Sequence, residues 1–259
     1  MGKRRLQRIF PSERISRDQN AAILLDCIHL MALRRNIPKT TAPGDQLLVK
    51  AERSSSGLFV GEELFVDAAR SPNGHFDVAA RDHSYAENNR EIRGECVLAD
   101  AGGSVLFRKS IRRANNPHVT DDGLVIVEDW KGEKLSSALL AIDVTGKAVW
   151  SHNFRANVGN SSGISADGTR AFVMTFRSDC EAHSEKTFLL DAANGRTIWT
   201  VDRKSHGWAD VRFEGNRLVA LVSVQDESTV EFPFDDSGFL GQAYEDARRR
   251  ARGQRQRGQ

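Results

Sequence analysis

Residues 159–163, GNSSG, spell the Gly-x-Ser-x-Gly pattern that can present a nucleophilic serine, here Ser161, on a sharp turn. That chemistry needs a strand before the serine and a helix after it. The chain instead continues ISADGTRAFVM, a polar glycine turn and a β-rich run, which reads as a loop between strands. Cys180 and His183 form half of a zinc ligand set, without the second pair that a tetrahedral structural site requires. Cys27 and His29 stand two apart in a helical stretch and so point to different faces. His75, His118 and His206, with Asp121, Asp122 and Asp210, lie near glycine turns. They would support acid–base chemistry only if the fold gathered them, and no spacing argument does so. From these residues no catalytic, cofactor-binding or metal-binding set is expected.

The elements that would position such residues follow a repeat. LADAGGSVLF (98–107), AIDVTGKAVW (141–150), LLDAANGRTIW (189–199) and PFDDSGFL (233–240) each set an aspartate before a glycine turn. The aspartates Asp100, Asp143, Asp191 and Asp235 are spaced 43, 48 and 44 apart. Four positions after Gly103, Gly146 and Gly195 stand Phe107, Trp150 and Trp199, and the unit at Gly238 lacks this aromatic. A second series, Gly74, Gly123, Gly168 and Gly215, interleaves at spacings of 49, 45 and 47, each glycine preceding a strand-like run. Glycine after Asn, Asp or Thr supplies the positive φ of a tight turn, and the acid bonds its own turn backbone. Runs such as LVIV and AFVM are almost continuously apolar, as in strands buried on both faces. Four short strands per repeat predict an all-β, propeller-like array of about four four-stranded blades, in which stacking covers the faces one blade alone leaves bare.

LLAIDVTGKAVWS and LLDAANGRTIWT resemble the blade repeat of quinoprotein-like (PQQ-like) β-propellers, and SPNGH and SADGTR resemble the inner turn of WD40-like blades. The resemblance spans roughly residues 62–242 and implies the fold. Because that superfamily includes dehydrogenases, assembly factors and scaffolds, it does not select an activity. It implies that the repeated Trp packs between blades, away from any central cofactor. Asp100, Gly103, Phe107, Asp143, Gly146, Trp150, Asp191, Gly195 and Trp199 are therefore read as structural repeat positions.

Residues 46–242 form the expected propeller domain, with blades at about 62–112, 113–155, 156–205 and 206–242. After Gly238 the sequence turns helical, so the last blade lacks an outer strand, and QLLVK (46–50) or GLFVGEELFV (57–66) is expected to close it. The rival arrangements are an open stack and a half-ring completed as a homodimer. Residues 1–45 hold a basic segment and an amphipathic helix over 17–36, and 243–259 a basic helix with a disordered tail from about 250. Residues 1–17 carry +5 and 243–259 carry +4 against a total of +2, so the body between is acidic. Arg248, Arg249, Arg250, Arg252, Arg255 and Arg257 could meet phosphates, but without stacking aromatics any nucleic-acid contact would be non-specific. No apolar run reaches the roughly 20 residues of a membrane span. Three scattered cysteines argue against a disulfide framework and for the cytoplasm. The long loops at 82–95, 128–137 and 177–186 carry Tyr85, Arg93 and Trp130, residue types suited to a protein interface. The expectation is a non-catalytic interaction or scaffold module that binds a protein partner through these loops. The alternatives are an enzyme or small-ligand site at the channel mouth and non-specific nucleic-acid association.

Overall fold

The computed structural model describes residues 49–85, 91–131, 135–159, 161–203, 210–223 and 229–257. The helix expected over 17–36, with Cys27 and His29, lies outside them, as does His206. The chain opens with β1 (Ala51–Ser54), β2 (Gly57–Val60) and β3 (Glu63–Phe65), which form one three-stranded sheet. The first full blade contains β4 (Asp67–Arg70) and β5 (Phe76–Arg81), then a two-stranded ribbon of β6 (Ser84–Tyr85) and β7 (Glu91–Ile92), then β8 (Gly94–Asp100) and β9 (Val105–Ile111). The second comprises β10 (Ala114–Val119), β11 (Val125–Asp129), β12 (Ser137–Ile142) and β13 (Ala148–Phe154). The third comprises β14 (Ser162–Ile164), β15 (Arg170–Met174), β16 (Lys186–Asp191) and β17 (Thr197–Asp202). The last has three strands, β18 (Asp210–Glu214), β19 (Arg217–Ser223) and β20 (Thr229–Pro233), followed by helix α1 (Gly241–Arg257). All pairings are antiparallel between neighbours in each sheet.

Apolar alternation explains why the sheets stack. Along β11, Val125 and Val127 enter the core shared with the first blade, whereas Ile126 enters the core shared with the third. Along β15, Ala171 and Val173 face the second blade and Phe172 and Met174 the fourth. A strand buried on both faces needs no polar alternation, which is why these runs read as continuous. Burying one such Val, Ile or Phe contributes roughly 1.5–3 kcal/mol, and each interface collects several.

The acid–glycine turns carry the register from blade to blade. Asp143 Oδ1 accepts from the backbone of Thr145 (2.9 Å) and Lys147 (3.0 Å), and Asp235 Oδ1 binds Ser237 and Phe239 in the same way. Asp100 Oδ1 accepts from Ser104 N and Asp191 Oδ1 from Ala193 N. Each outer-strand aromatic then lies over the turn glycine of the following blade. A Cβ on Gly146 would come within 2.9 Å of Phe107, one on Gly195 within 2.7 Å of Trp150, and one on Gly238 within 3.0 Å of Trp199. Two residues further on, Lys109 Nζ donates to Gly146 O (2.8 Å), and His152 Nδ1 lies 3.1 Å from Gly195 O. The glycine is thus required twice over, for its positive φ and for the space its missing side chain leaves to a ring.

The amino-terminal strands do not complete the last blade. Lys50 bridges Ser104, Ala51 N donates to Gly103 O (2.7 Å), and the sheet packs on β4 and β5. This sheet takes, at the Gly103 turn, the place that a preceding blade takes at the other turns. Residues 62–66 accordingly go with β3, and the first blade starts at Asp67. In the last blade α1 packs against β20, with Tyr244 buried and set edge-on to Phe232. The tail expected to be disordered from about 250 continues as helix to Arg257.

Candidate functional site

In an antiparallel blade the turns between strands one and two and between strands three and four share one end. The loop between strands two and three and the linker to the next blade share the other. The turn end is short and self-bonded, and the loop end carries the chain's irregular chemistry.

At the loop end Arg113 comes from the β9–β10 linker, Trp130 follows β11, Leu135 precedes β12, Asn157 and Gly159 lie in the β13–β14 linker, and Phe176 follows β15. Together they line a pocket of about 290 Å³. Trp130 is half-buried, and its Nε1 donates to Glu128 Oε2 at 2.6 Å. Glu128 is fully buried, and its Oε1 accepts from Ser162 Oγ (2.7 Å), Ser161 N (3.0 Å) and Asn116 Nδ2 (3.0 Å). A buried carboxylate is tolerable when its lone pairs are filled in this way, and it fixes the indole that it holds.

The Arg113 guanidinium lies 5.7 Å from the Trp130 ring centroid, a cation–π distance. It also grips Asp82 through both carboxylate oxygens, at 3.0 and 2.7 Å. Burial pushes the Asp82 carboxyl up, but its bonds to Arg113 and His83 outweigh this and hold it at about 2. The His83 ring sits edge-on to Tyr85 at 5.3 Å, and Tyr85 is 65% exposed. Tyr85 and Trp130 are therefore joined through His83, Asp82 and Arg113. Arg93 is exposed between β7 and β8, and no contact among the described residues ties it to the group.

Two apolar side chains of this pocket stand open. Leu135 is 49% exposed at φ 50, and Phe176 is 44% exposed with its ring across Gly159. A left-handed backbone costs a non-glycine residue roughly 1–2 kcal/mol. The Arg203 guanidinium lies 5.8 Å from the Phe176 ring and donates to Thr175 O at 3.0 Å.

The other sequence-derived candidates are dispersed. The Ser161 hydroxyl donates to Gly159 O (3.2 Å), and the chain runs on into β14 with no helix behind it. His183 Nδ1 accepts from Arg155 N (2.8 Å), and its ring packs against Phe154 and Phe188. No three His, Cys, Asp or Glu among the described residues are placed to hold a metal. Asp121 Oδ1 accepts from Asn73 N (2.7 Å), and the Asn73 amide in turn meets His75, so these three staple successive turns. Asp122 caps its own turn through Thr120. His118 and Asp210 line one further cavity, of about 300 Å³, with Arg212 also in its wall. Arg248 and Arg249 are paired within α1 to Glu245 and Asp246. The sequence reading missed Arg113, Leu135, Phe176 and Glu128. Only Glu128, an acid ending an apolar run, left a visible signal there.

Residues 137–238 match a family model described as outer membrane protein assembly factor BamB. No curated protein matches the chain in sequence. Among solved structures, BamB from Moraxella catarrhalis is 15% identical over 70% of this chain and 49% of its own, with a TM-score of 0.42. The β-propeller domain of the trilobed protease from Pyrococcus furiosus is 16% identical over 66% of this chain and 53% of its own, with a TM-score of 0.43. The C-terminal WD40 domain of Sif2 is 13% identical over 69% of this chain and 46% of its own, with a TM-score of 0.46. The chain spans about half the length of these structures. The antiparallel, mostly four-stranded sheets are those of a β-propeller-like fold, and residues 137–238, from β12 to the turn after β20, carry its PQQ-like family match.

Proposed function

We propose that this chain is a non-catalytic interaction module that docks a protein partner on its loop end, through Trp130, Leu135 and Phe176 with Arg113 beside them. One observation carries the reading: two large apolar side chains stand open around a pocket whose indole is fixed from behind by a buried carboxylate. Interface anchors combine such a preset aromatic with an adjacent arginine. Tyr85 and Arg93 would form the rim. The family description, an assembly factor, supports work on other proteins. The unbridged Cys96 and Cys180 support a cytoplasmic address, which the outer-membrane wording of that description does not share. Cell fractionation of the native protein decides between the two addresses.

The test is site-specific photocrosslinking. A benzoylphenylalanine replacing Leu135 should yield a discrete adduct in native cells, and the same group replacing Val144, at the turn end, should not. Adding Phe176→Ser to the Leu135 probe should abolish the adduct while the circular dichroism of the blades is unchanged. Equal adducts from both ends, or one indifferent to Phe176→Ser, would refute the docking face.

A further inference from the structure

The first strands of three successive blades meet at Asn116 of β10. Asn116 and Pro117 together oppose Val127 of β11, a β-bulge, and Asn116 holds a φ of 48 there. Its backbone N donates to Asp67 Oδ2 of β4 at 2.6 Å. Its side-chain Nδ2 donates to Glu128 Oε1 of β11 (3.0 Å) and to Ser162 O (3.2 Å) and Oγ (3.0 Å) of β14. We propose that Asn116 is a positioning residue of the loop-end pocket, its amide holding Glu128 and Ser162 in the arrangement that fixes the Trp130 indole.

The competing role is that of a bulge residue, since asparagine enters the left-handed region more readily than most side chains. The amide decides between the two. A bulge asks nothing of the side chain, and glycine would meet its backbone demand without strain. Asn116 also precedes Pro117, where the chain prefers extended backbone. The strained conformation is thus kept by a residue whose side chain bonds both the neighbouring strand and the next blade. The orientation of the amide is determined too. A carboxylate and a carbonyl only accept, so only the NH₂ can face Glu128 and Ser162 O.

Charge explains why the residue is an amide and not an acid. Asn116 stands between Asp67 and Glu128 and gives an N–H to each. Burial pushes the Asp67 carboxyl up, the bond from Asn116 N pulls it down, and the Glu128 charge adds to the rise. An aspartate at 116 would set a third acid between these two.

The path to the pocket is short. Glu128 Oε1 also accepts from Ser161 N and Ser162 Oγ, and Oε2 accepts from Trp130 Nε1. Removing the Asn116 amide takes one donor from Oε1 and loosens Ser162, which is another. The carboxylate that sets the edge of the indole is then less firmly held. The face of the ring keeps its separate support from Arg113, so the indole should loosen without leaving its place.

The test follows the indole directly. The full chain is labelled with ¹⁵N tryptophan, and the N–H of Trp130, one of four tryptophans, is assigned by its loss in Trp130→Phe. Asn116→Asp keeps the size and the left-handed tolerance but removes the NH₂, and Asn116→Gly removes the amide while relieving the φ. In both, solvent exchange of Trp130 Nε1–H should quicken by about tenfold, the scale of one hydrogen bond to a charged group. Exchange at Trp150, which donates to Ala192 O, should stay as it was. The urea midpoint of Asn116→Gly should remain close to that of the native chain, because relief of strain offsets the lost bonds. Unchanged exchange at Trp130 in Asn116→Gly would overturn the proposal and leave Asn116 a bulge residue. Loss of the folded state in that variant would overturn it as well, since the amide would then serve the fold at large. The consequence for docking rests on the reading given above: the adduct from the Leu135 probe should fall in Asn116→Gly. Indole exchange needs no partner, so quickened exchange supports the positioning role even beside an undiminished adduct, which would count against the docking face alone.

Discussion

The two ends of the blades are built on opposite principles. At the turn end the aspartates Asp100, Asp143, Asp191 and Asp235 bond their own turn backbone, and Gly103, Gly146, Gly195 and Gly238 each admit a ring or strand from the neighbouring sheet. At the loop end a left-handed leucine, an open phenylalanine and an arginine over an indole remain after folding. The blades repeat where they must register and vary where they face outward. Stability should therefore reside in the turns and recognition in the loops. The sharpest way to break this contrast is at a turn glycine. Gly195→Ala meets both a φ of +70 and the Trp150 ring at 2.7 Å. It should cost about 3 kcal/mol, the sum of backbone strain and overpacking. Gly215→Ala shares a positive φ of +60 but has nothing within 4 Å. It should cost only about 1 kcal/mol. Urea unfolding of the two variants checks the difference, and equal losses would show that the rings do not set the register.

A finer test stays within the turn end. Trp150 and Trp199 occupy matching positions, but Trp150 Nε1 donates to Ala192 O at 2.8 Å whereas Trp199 Nε1 is buried without a partner among the described residues. Replacement by phenylalanine removes similar volume at both sites, yet only at Trp150 does it strand a carbonyl. Trp150→Phe should therefore destabilise by about 1 kcal/mol more than Trp199→Phe, one net hydrogen bond. Matched denaturation curves decide it, and a larger loss at Trp199 would reverse the assignment.

The sequence made the turn end legible because its rules are local: an acid, a glycine and a ring at fixed offsets. Even there it could not say that the ring of Trp150 serves Gly195 of the next blade, since that pairing depends on how blades stack. The placement of β1–β3 escaped for the same reason. A strand-like run does not name its partner, and the choice of the Gly103 turn over the last blade rests on backbone bonds from Ala51. At the loop end Trp130 was visible by type, but Arg113 and Phe176 reach it from neighbouring blades at no periodic offset. Glu128 looked like the polar end of a strand, although it lies beneath four donors.

The loop end should answer mutation with the opposite sign. Leu135→Gly relieves a φ of 50 at a side chain that is 49% exposed. Stability should be unchanged or rise by up to about 1 kcal/mol, while the crosslink from a probe at Phe176 disappears. A loss of stability above that scale would place Leu135 in the core and remove it from the docking face.

The last test uses pH. Asp82 is held at about 2 by Arg113 and His83 in spite of its burial, below the roughly 3.9 of an unfolded aspartate. A depressed carboxyl contributes stability that is fully present above the unfolded value and is lost as pH falls through the folded one. The contribution of the Asp82–Arg113 pair should accordingly be constant from pH 7 down to about 4 and fade between about 4 and 2. Urea midpoints of the native chain and of Asp82→Asn, measured across that range, should differ above pH 4 and converge towards pH 2. Curves that stay parallel to pH 2 would mean that Asp82 gains nothing from its pairing. Arg113 would then be held over Trp130 by the indole alone, and the link from Tyr85 to the pocket would be one of proximity without coupling.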